Sequence, residues 1–181
     1  MKKLLFVLAL LLSISSYSQK RYVHVHKEKQ NEITLNAFNL IAAKWLDVSF
    51  ERILNEESSV GVSFLTRIGN HTDFKEWGIK SYSVTPYYRQ YFSPYYASGF
   101  FMEGFAMYNG GERDDLIYNE ITDQTEKQKY QDVAFGISLG QKFVTRRGFV
   151  GVVYAGLGRN MFDVNAPEVV GRAGVSFGFR F

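Results

Sequence analysis

The stretch Arg172-Ala173-Gly174-Val175-Ser176-Phe177-Gly178-Phe179-Arg180-Phe181 decides how this chain must fold. Its odd positions are Ala, Val, Phe, Phe and Phe, and its even positions are Arg, Gly, Ser, Gly and Arg. Successive side chains of a strand point to opposite faces, so one face here is wholly apolar and the other small or charged. The same period recurs upstream. In 132–142, Val133, Phe135, Ile137 and Leu139 oppose Ala134, Gly136, Ser138, Gly140 and Lys142. In 59–68, Val60, Val62, Phe64 and Ile68 oppose Gly61, Ser63 and Arg67. In 45–54, Leu46, Val48 and Phe50 oppose Asp47, Ser49 and Glu51.

Four further segments alternate less cleanly. Residues 32–41 set Ile33, Leu35 and Ala37 against Thr34 and Asn36, then lose phase near Phe38, which reads as a bulge. In 81–92, Tyr82, Val84, Pro86 and Tyr88 alternate with Ser83, Thr85, Tyr87 and Arg89, although Pro86 counts against a central strand. In 98–109 both faces are apolar, and Glu103 alone fixes the phase. Residues 149–158 are so rich in Gly and Val that neither face is distinguished.

Eight segments of about ten residues match the even strand number and the ~9–11-residue length of strands that cross a bilayer at a tilt. The connections after strands two, four and six are tight: Asn55–Ser58, Ser93–Ala97 and Arg146–Gly148. Those after strands three, five and seven are long: Gly69–Lys80, Gly110–Gln131 and Arg159–Glu168. Tight turns on one rim and long polar loops on the other are the layout of an outer-membrane barrel. The expected fold is therefore all-β: an eight-stranded antiparallel up-and-down transmembrane β-barrel over 32–181, with no helix of consequence.

A soluble barrel with its apolar face inward would show the same alternation, but its exterior would carry many long charged side chains. Here the second face is mostly Gly, Ser and Thr with sparse charges. Eight strands enclose an interior just wide enough for side chains to fill, which suits that second face. The charges expected in the lumen are Asp47, Glu51, Arg67, Arg89, Glu103, Lys142, Arg172 and Arg180. Folding the turn about position 96 sets Arg89 nearly opposite Glu103, and a dry ion pair persists only if well hydrogen-bonded. Such a network plugs a closed barrel; the alternative is a gated polar path. Trp45, Tyr82, Tyr88, Phe92, Tyr95, Tyr96, Phe100, Tyr108 and Phe149 fall near strand ends, as aromatic girdles do.

The amino terminus reads as an address. Lys2-Lys3 precede nine apolar residues, Leu4–Leu12, and then the small polar run Ser13–Ser18, the plan of a secretory signal peptide over 1–18. Nine residues at ~1.5 Å each fall well short of a ~30 Å hydrocarbon core, which argues against an anchor. Residues 19–31 read as a flexible periplasmic tail. His24 and His26 lie in it with no third ligand beside them, and His71 falls in a predicted loop, so no metal site is expected.

Composition agrees. The 181 residues include no cysteine, which excludes disulfide scaffolds and thiolate chemistry. Lys2 and Lys3 are the charged residues of 1–18, so the remainder carries nineteen basic against eighteen acidic residues, too balanced to grip nucleic acid. Thirty aromatic residues (16 Phe, 12 Tyr, 2 Trp) are explained by a surface made for lipid.

At this point the chain resembles the small outer-membrane barrels of Gram-negative bacteria. Val175-Ser176-Phe177-Gly178-Phe179-Arg180-Phe181 resembles the terminal-aromatic signal, carried by Phe177, Phe179 and Phe181, through which the barrel assembly machinery recognises such proteins. The runs Thr85-Pro86-Tyr87-Tyr88-Arg89-Gln90-Tyr91-Phe92 and Gly99-Phe100-Phe101-Met102-Glu103-Gly104-Phe105 are similar to a barrel family of unknown function common in Bacteroidetes-type bacteria, across roughly 31–181. That resemblance implies outer-membrane residence and tolerance of proline in the fourth strand, and little about activity.

Three functional classes follow. The leading one is a non-enzymatic barrel, structural or acting through its loops. The acidic-rich loop Gly110–Gln131 is its candidate contact with cations, lipopolysaccharide or a partner. The second is a narrow channel or lateral route for a small apolar compound, lined by Phe101, Phe105 and Met107. The third, a lipid-modifying enzyme, lacks a base, since no histidine lies in a predicted strand. The expected partners are outer-membrane lipid, lipopolysaccharide and the assembly machinery, with no nucleic acid and no cofactor, and the chain is expected to be a monomer.

Overall fold

The computed structural model describes residues 29–68, 80–113 and 128–181. Eight strands follow one another: β1 (Asn31–Asn36), β2 (Trp45–Ile53), β3 (Ser58–Arg67), β4 (Lys80–Tyr91), β5 (Gly99–Arg113), β6 (Gln128–Val144), β7 (Phe149–Asn160) and β8 (Val169–Arg180). Each pairs antiparallel with its sequence neighbour, and β1 pairs with β8 to close an up-and-down barrel. Closure leaves no unpaired sheet edge. The seam is in register from Glu32↔Arg180 to Asn36↔Ser176. β5 and β6 run past their expected ends toward the long-loop rim, reaching Arg113 and beginning at Gln128.

One segment departs from the sequence reading. The lost phase at Phe38 marks a short helix, α1 (Ala37–Ala43), rather than a bulge. Asn36 caps it, its side-chain oxygen accepting from the Asn39 N–H at 3.2 Å, and Lys44 ends it in the left-handed region at φ 51°. α1 lies against β8 and β2 at the long-loop rim. β1 also begins at Asn31, one residue inside the expected tail, with Gln30 O accepting from Ile53 N at 2.8 Å.

The faces sort as a barrel with its apolar side out. Ile33, Phe50, Phe64, Tyr88, Phe100, Phe135, Ile137, Leu139, Phe177 and Phe179 are all exposed. β7, which the sequence left undecided, turns Val150, Val152 and Tyr154 inward and Phe149, Val153 and Leu157 outward. Inside, rings lie across glycines of the neighbouring strand. A Cβ at Gly140 would come within 2.4 Å of Phe101 Cζ, and one at Gly136 within 2.4 Å of Phe105 Cζ. Those two positions must stay bare for the rings to fit. Tyr91, Phe101, Val150, Val152 and Tyr154 form one buried cluster, and Tyr87, Phe105, Met107, Ala134 and Val170 another.

Candidate functional site

The chemistry of this molecule is concentrated inside the cylinder. Seven charged side chains form one alternating chain: Arg180, Glu32, Lys142, Glu51, Arg89, Glu103 and Arg172. Arg180 meets Glu32 at 2.6 Å, and Lys142 Nζ lies 2.7 Å from the other Glu32 oxygen. Lys142 also contacts Glu51, whose second oxygen accepts from Arg89 Nη1 at 2.5 Å. Arg89 Nε reaches Glu103 at 2.7 Å, and Glu103 also pairs with Arg172. All seven side chains are buried.

Carboxylates taken out of water must fill their lone pairs, and here they do. Glu51 accepts additionally from Ser59 Oγ and Tyr91 OH, each at 2.7 Å, and from Tyr87 OH at 3.3 Å. Glu103 accepts from Ser138 Oγ at 3.1 Å. Arg180 donates onward to the carbonyls of Tyr96 (3.2 Å) and Ala97 (2.8 Å), tying the β4–β5 turn into the lumen. The guanidinium carbons of Arg89 and Arg172 also sit over rings, Arg89 4.5 Å from both Tyr87 and Phe101, Arg172 5.0 Å from Tyr154.

Asp47 belongs to a second cluster under α1. Its carboxylate accepts from Asn36 (2.9 Å), Asn39 (2.8 Å) and Ser63 (2.7 Å). Arg67 is half-buried at the long-loop end of β3 and donates to Lys80 O at 3.3 Å. Thus six of the eight charges expected in the lumen share the chain of ion pairs, while Asp47 and Arg67 stand apart from it. The space left between the two clusters, beside Asp47, Lys80 and Arg172, is about 20 Å³, room for about one water.

Two lumen charges were missed by the sequence reading. Glu32 is in phase with Asn36, so strand parity alone would have placed it inside. Lys80, in the expected Gly69–Lys80 loop, is the first residue of β4, which starts one residue before the expected 81, and its side chain is buried. Trp45, expected in a girdle, is instead 4% exposed, since it shares parity with Asp47, and Lys80 Nζ stands 5.7 Å from its ring. Tyr96 is likewise buried, whereas Tyr88, Phe92, Tyr95, Phe100, Tyr108 and Phe149 are exposed. Phe101, Phe105 and Met107, named for a possible path, are buried as lumen filling. Phe177, Phe179 and Phe181 all face outward.

At the opposite rim the connection after β7 is held by Asp132. Its carboxylate accepts from the backbone N–H of Phe162 (3.0 Å) and Asp163 (3.0 Å). Asp132 stands beyond the apolar band, where the outward positions of β6 have become Lys129 and Gln131. Burial pushes its carboxyl upward, but the N–H groups of Asp163, Val133, Phe162 and Met161 outweigh this and hold it below the ordinary Asp range.

The segments expected as signal peptide and most of the tail, His24, His26 and His71, and the central part of the acidic loop lie outside the described residues. Among the described residues no group of three metal-ligating acids or histidines occurs, and no helix is long and apolar enough to cross a membrane.

Among solved structures the fold is similar to the crystal structure of the N-terminal β-barrel domain of Pseudomonas aeruginosa OprF. The TM-score is 0.55 at 12% identity, covering 84% of this chain and 98% of that one. The likeness is one of architecture: both are small closed barrels. No family model matches the chain, and no curated protein matches it.

Proposed function

We propose that this protein is a non-enzymatic outer-membrane barrel, closed along its axis, that acts as a structural element or through its long-loop rim. One observation carries the reading: the molecule is inverted relative to a water-soluble barrel. Side chains such as Ile137 (62% exposed), Phe179 (58%) and Leu157 (65%) cover the outside, while seven charges are sealed within. In water that exterior would be an unbroken apolar patch far above what soluble monomers tolerate. In hydrocarbon it is the expected surface, and the closed backbone ladder leaves no polar edge.

The likeness to the OprF barrel domain supports the architecture, and the apolar exterior supports membrane residence. The signal peptide over 1–18 and the aromatic signal at Phe177, Phe179 and Phe181 complete an export and assembly route in this reading. The resemblance to a Bacteroidetes-type family belongs to it on the same footing. Lipopolysaccharide and outer-leaflet lipid are the natural contacts of the rim bearing α1 and the loops.

A narrow channel is the second reading, and the observation favouring it is the continuous polar chain along the lumen. The ion pairs and the rings between them fill that path, so the closed form is preferred. Planar-bilayer recording tests this: the closed barrel yields no steps above the lipid baseline, and reproducible single-channel steps would establish the channel.

A further inference from the structure

The barrel wall is uneven at the short-turn rim. β4 ends at Tyr91 and β5 begins at Gly99, opposite Lys142, while β6 continues to Val144. Between β4 and β5 the chain turns into the lumen, burying Tyr96 and Ala97, whose carbonyls accept from Arg180. The wall therefore steps down beside β6, leaving a notch of about 640 Å³. Phe92, Phe100 and Phe143 line it from outside, each about half exposed, and Lys142 and Arg180 from within. Arg146 lines it too, exposed and with no ion-pair partner among the described residues.

We propose that this notch binds one anionic phospholipid from the leaflet at the short-turn rim. This rests on the membrane reading above. The three phenylalanines offer a seat for acyl chain, continuous with the lipid-facing surface. The free charge at the notch is positive and comes from Arg146: Lys142 and Arg180 are buried and paired, Arg180 with Glu32 and Lys142 with Glu32 and Glu51, whereas nothing in the described chain neutralises Arg146. A phosphodiester with no headgroup cation complements that arrangement, whereas a zwitterionic headgroup brings its ammonium against it. A free phosphate would meet the charges but leave the apolar seat empty.

Native mass spectrometry of the full chain, in uncharged detergent with either phosphatidylglycerol or phosphatidylcholine added, tests the assignment. One phosphatidylglycerol is expected to stay bound, in preference to phosphatidylcholine and against excess inorganic phosphate. Arg146→Glu, at an exposed turn outside the ion-pair chain, is expected to weaken retention by more than about five-fold. Equal retention of the two lipids, displacement by phosphate, or an unaffected Arg146→Glu variant each overturns the site while leaving the membrane reading in place. Failure of the wild-type chain to insert into vesicles overturns both.

Discussion

Arg89 and Glu103 occupy paired positions of β4 and β5, with Nε 2.7 Å from Oε2, and neither side chain is more than one-twentieth exposed. Each also holds a further partner, Glu51 for Arg89 and Arg172 for Glu103, so the pair is an internal link of a chain of four cations and three carboxylates.

That count predicts an asymmetry. Glu103→Gln leaves four cations facing two carboxylates, with Arg172 and Arg89 both deprived, and is expected to destabilise the barrel by ~3–5 kcal/mol. Arg89→Met leaves three and three and is expected to cost less. In a double-mutant cycle the two should couple by ~0.5–3 kcal/mol. Urea unfolding of the vesicle-inserted chain, followed by mobility on unboiled gels, measures all three; equal single-mutant costs with no coupling would contradict the network.

Gly140→Ala places a Cβ 2.4 Å from Phe101 Cζ and 2.6 Å from Val153 O. Overpacking of this kind is expected to cost ~1–3 kcal/mol. Phe101→Leu in the same chain should recover part of it, because the ring can withdraw and the carbonyl cannot. The same unfolding assay reads both variants.

Asp132 sets a pH dependence on the loop rim. A carboxyl held below its unfolded value contributes stability that is complete above the ordinary Asp pKa of about 4 and is lost as pH falls through the lowered value. Amide hydrogen exchange at Phe162 and Asp163 should therefore stay protected down to that range and weaken only below it. Asp132→Ala should expose both amides at neutral pH without altering exchange in β1 or β8.

Much of this was legible because the side-chain period of a strand is two. Along 173–181 and 133–139 every second residue is apolar, so one register satisfies those positions, and Arg180 and Lys142, of the opposite parity, had to be inside. Arg89 and Glu103 followed from turn geometry. The period fails where both faces carry similar residues. In β7 the inward Val150 and Val152 and the outward Val153 are the same type, and the register against β6 and β8 separates them. α1 was hidden because two turns of helix following a strand look like a strand losing phase, although Asn36 three residues before Asn39 is a capping arrangement. Trp45 lies near a strand end, where girdle residues occur, but its parity with Asp47 turns it inward. How the ion pairs link across the lumen depends on which non-adjacent strands face each other, as Glu51 on β2 faces Lys142 on β6, and strand parity says nothing about that.

The chain has no cysteine, so single cysteines carrying a nitroxide report one position each. With the protein in vesicles, labels at Leu139, Ile137 and Phe177 are predicted to be relaxed by dissolved oxygen and shielded from an aqueous nickel chelate. A label at Ser138, between two of them in sequence, should be reached by neither. Strong relaxation of the Leu139, Ile137 and Phe177 labels by the aqueous nickel chelate would contradict a barrel whose apolar side faces lipid.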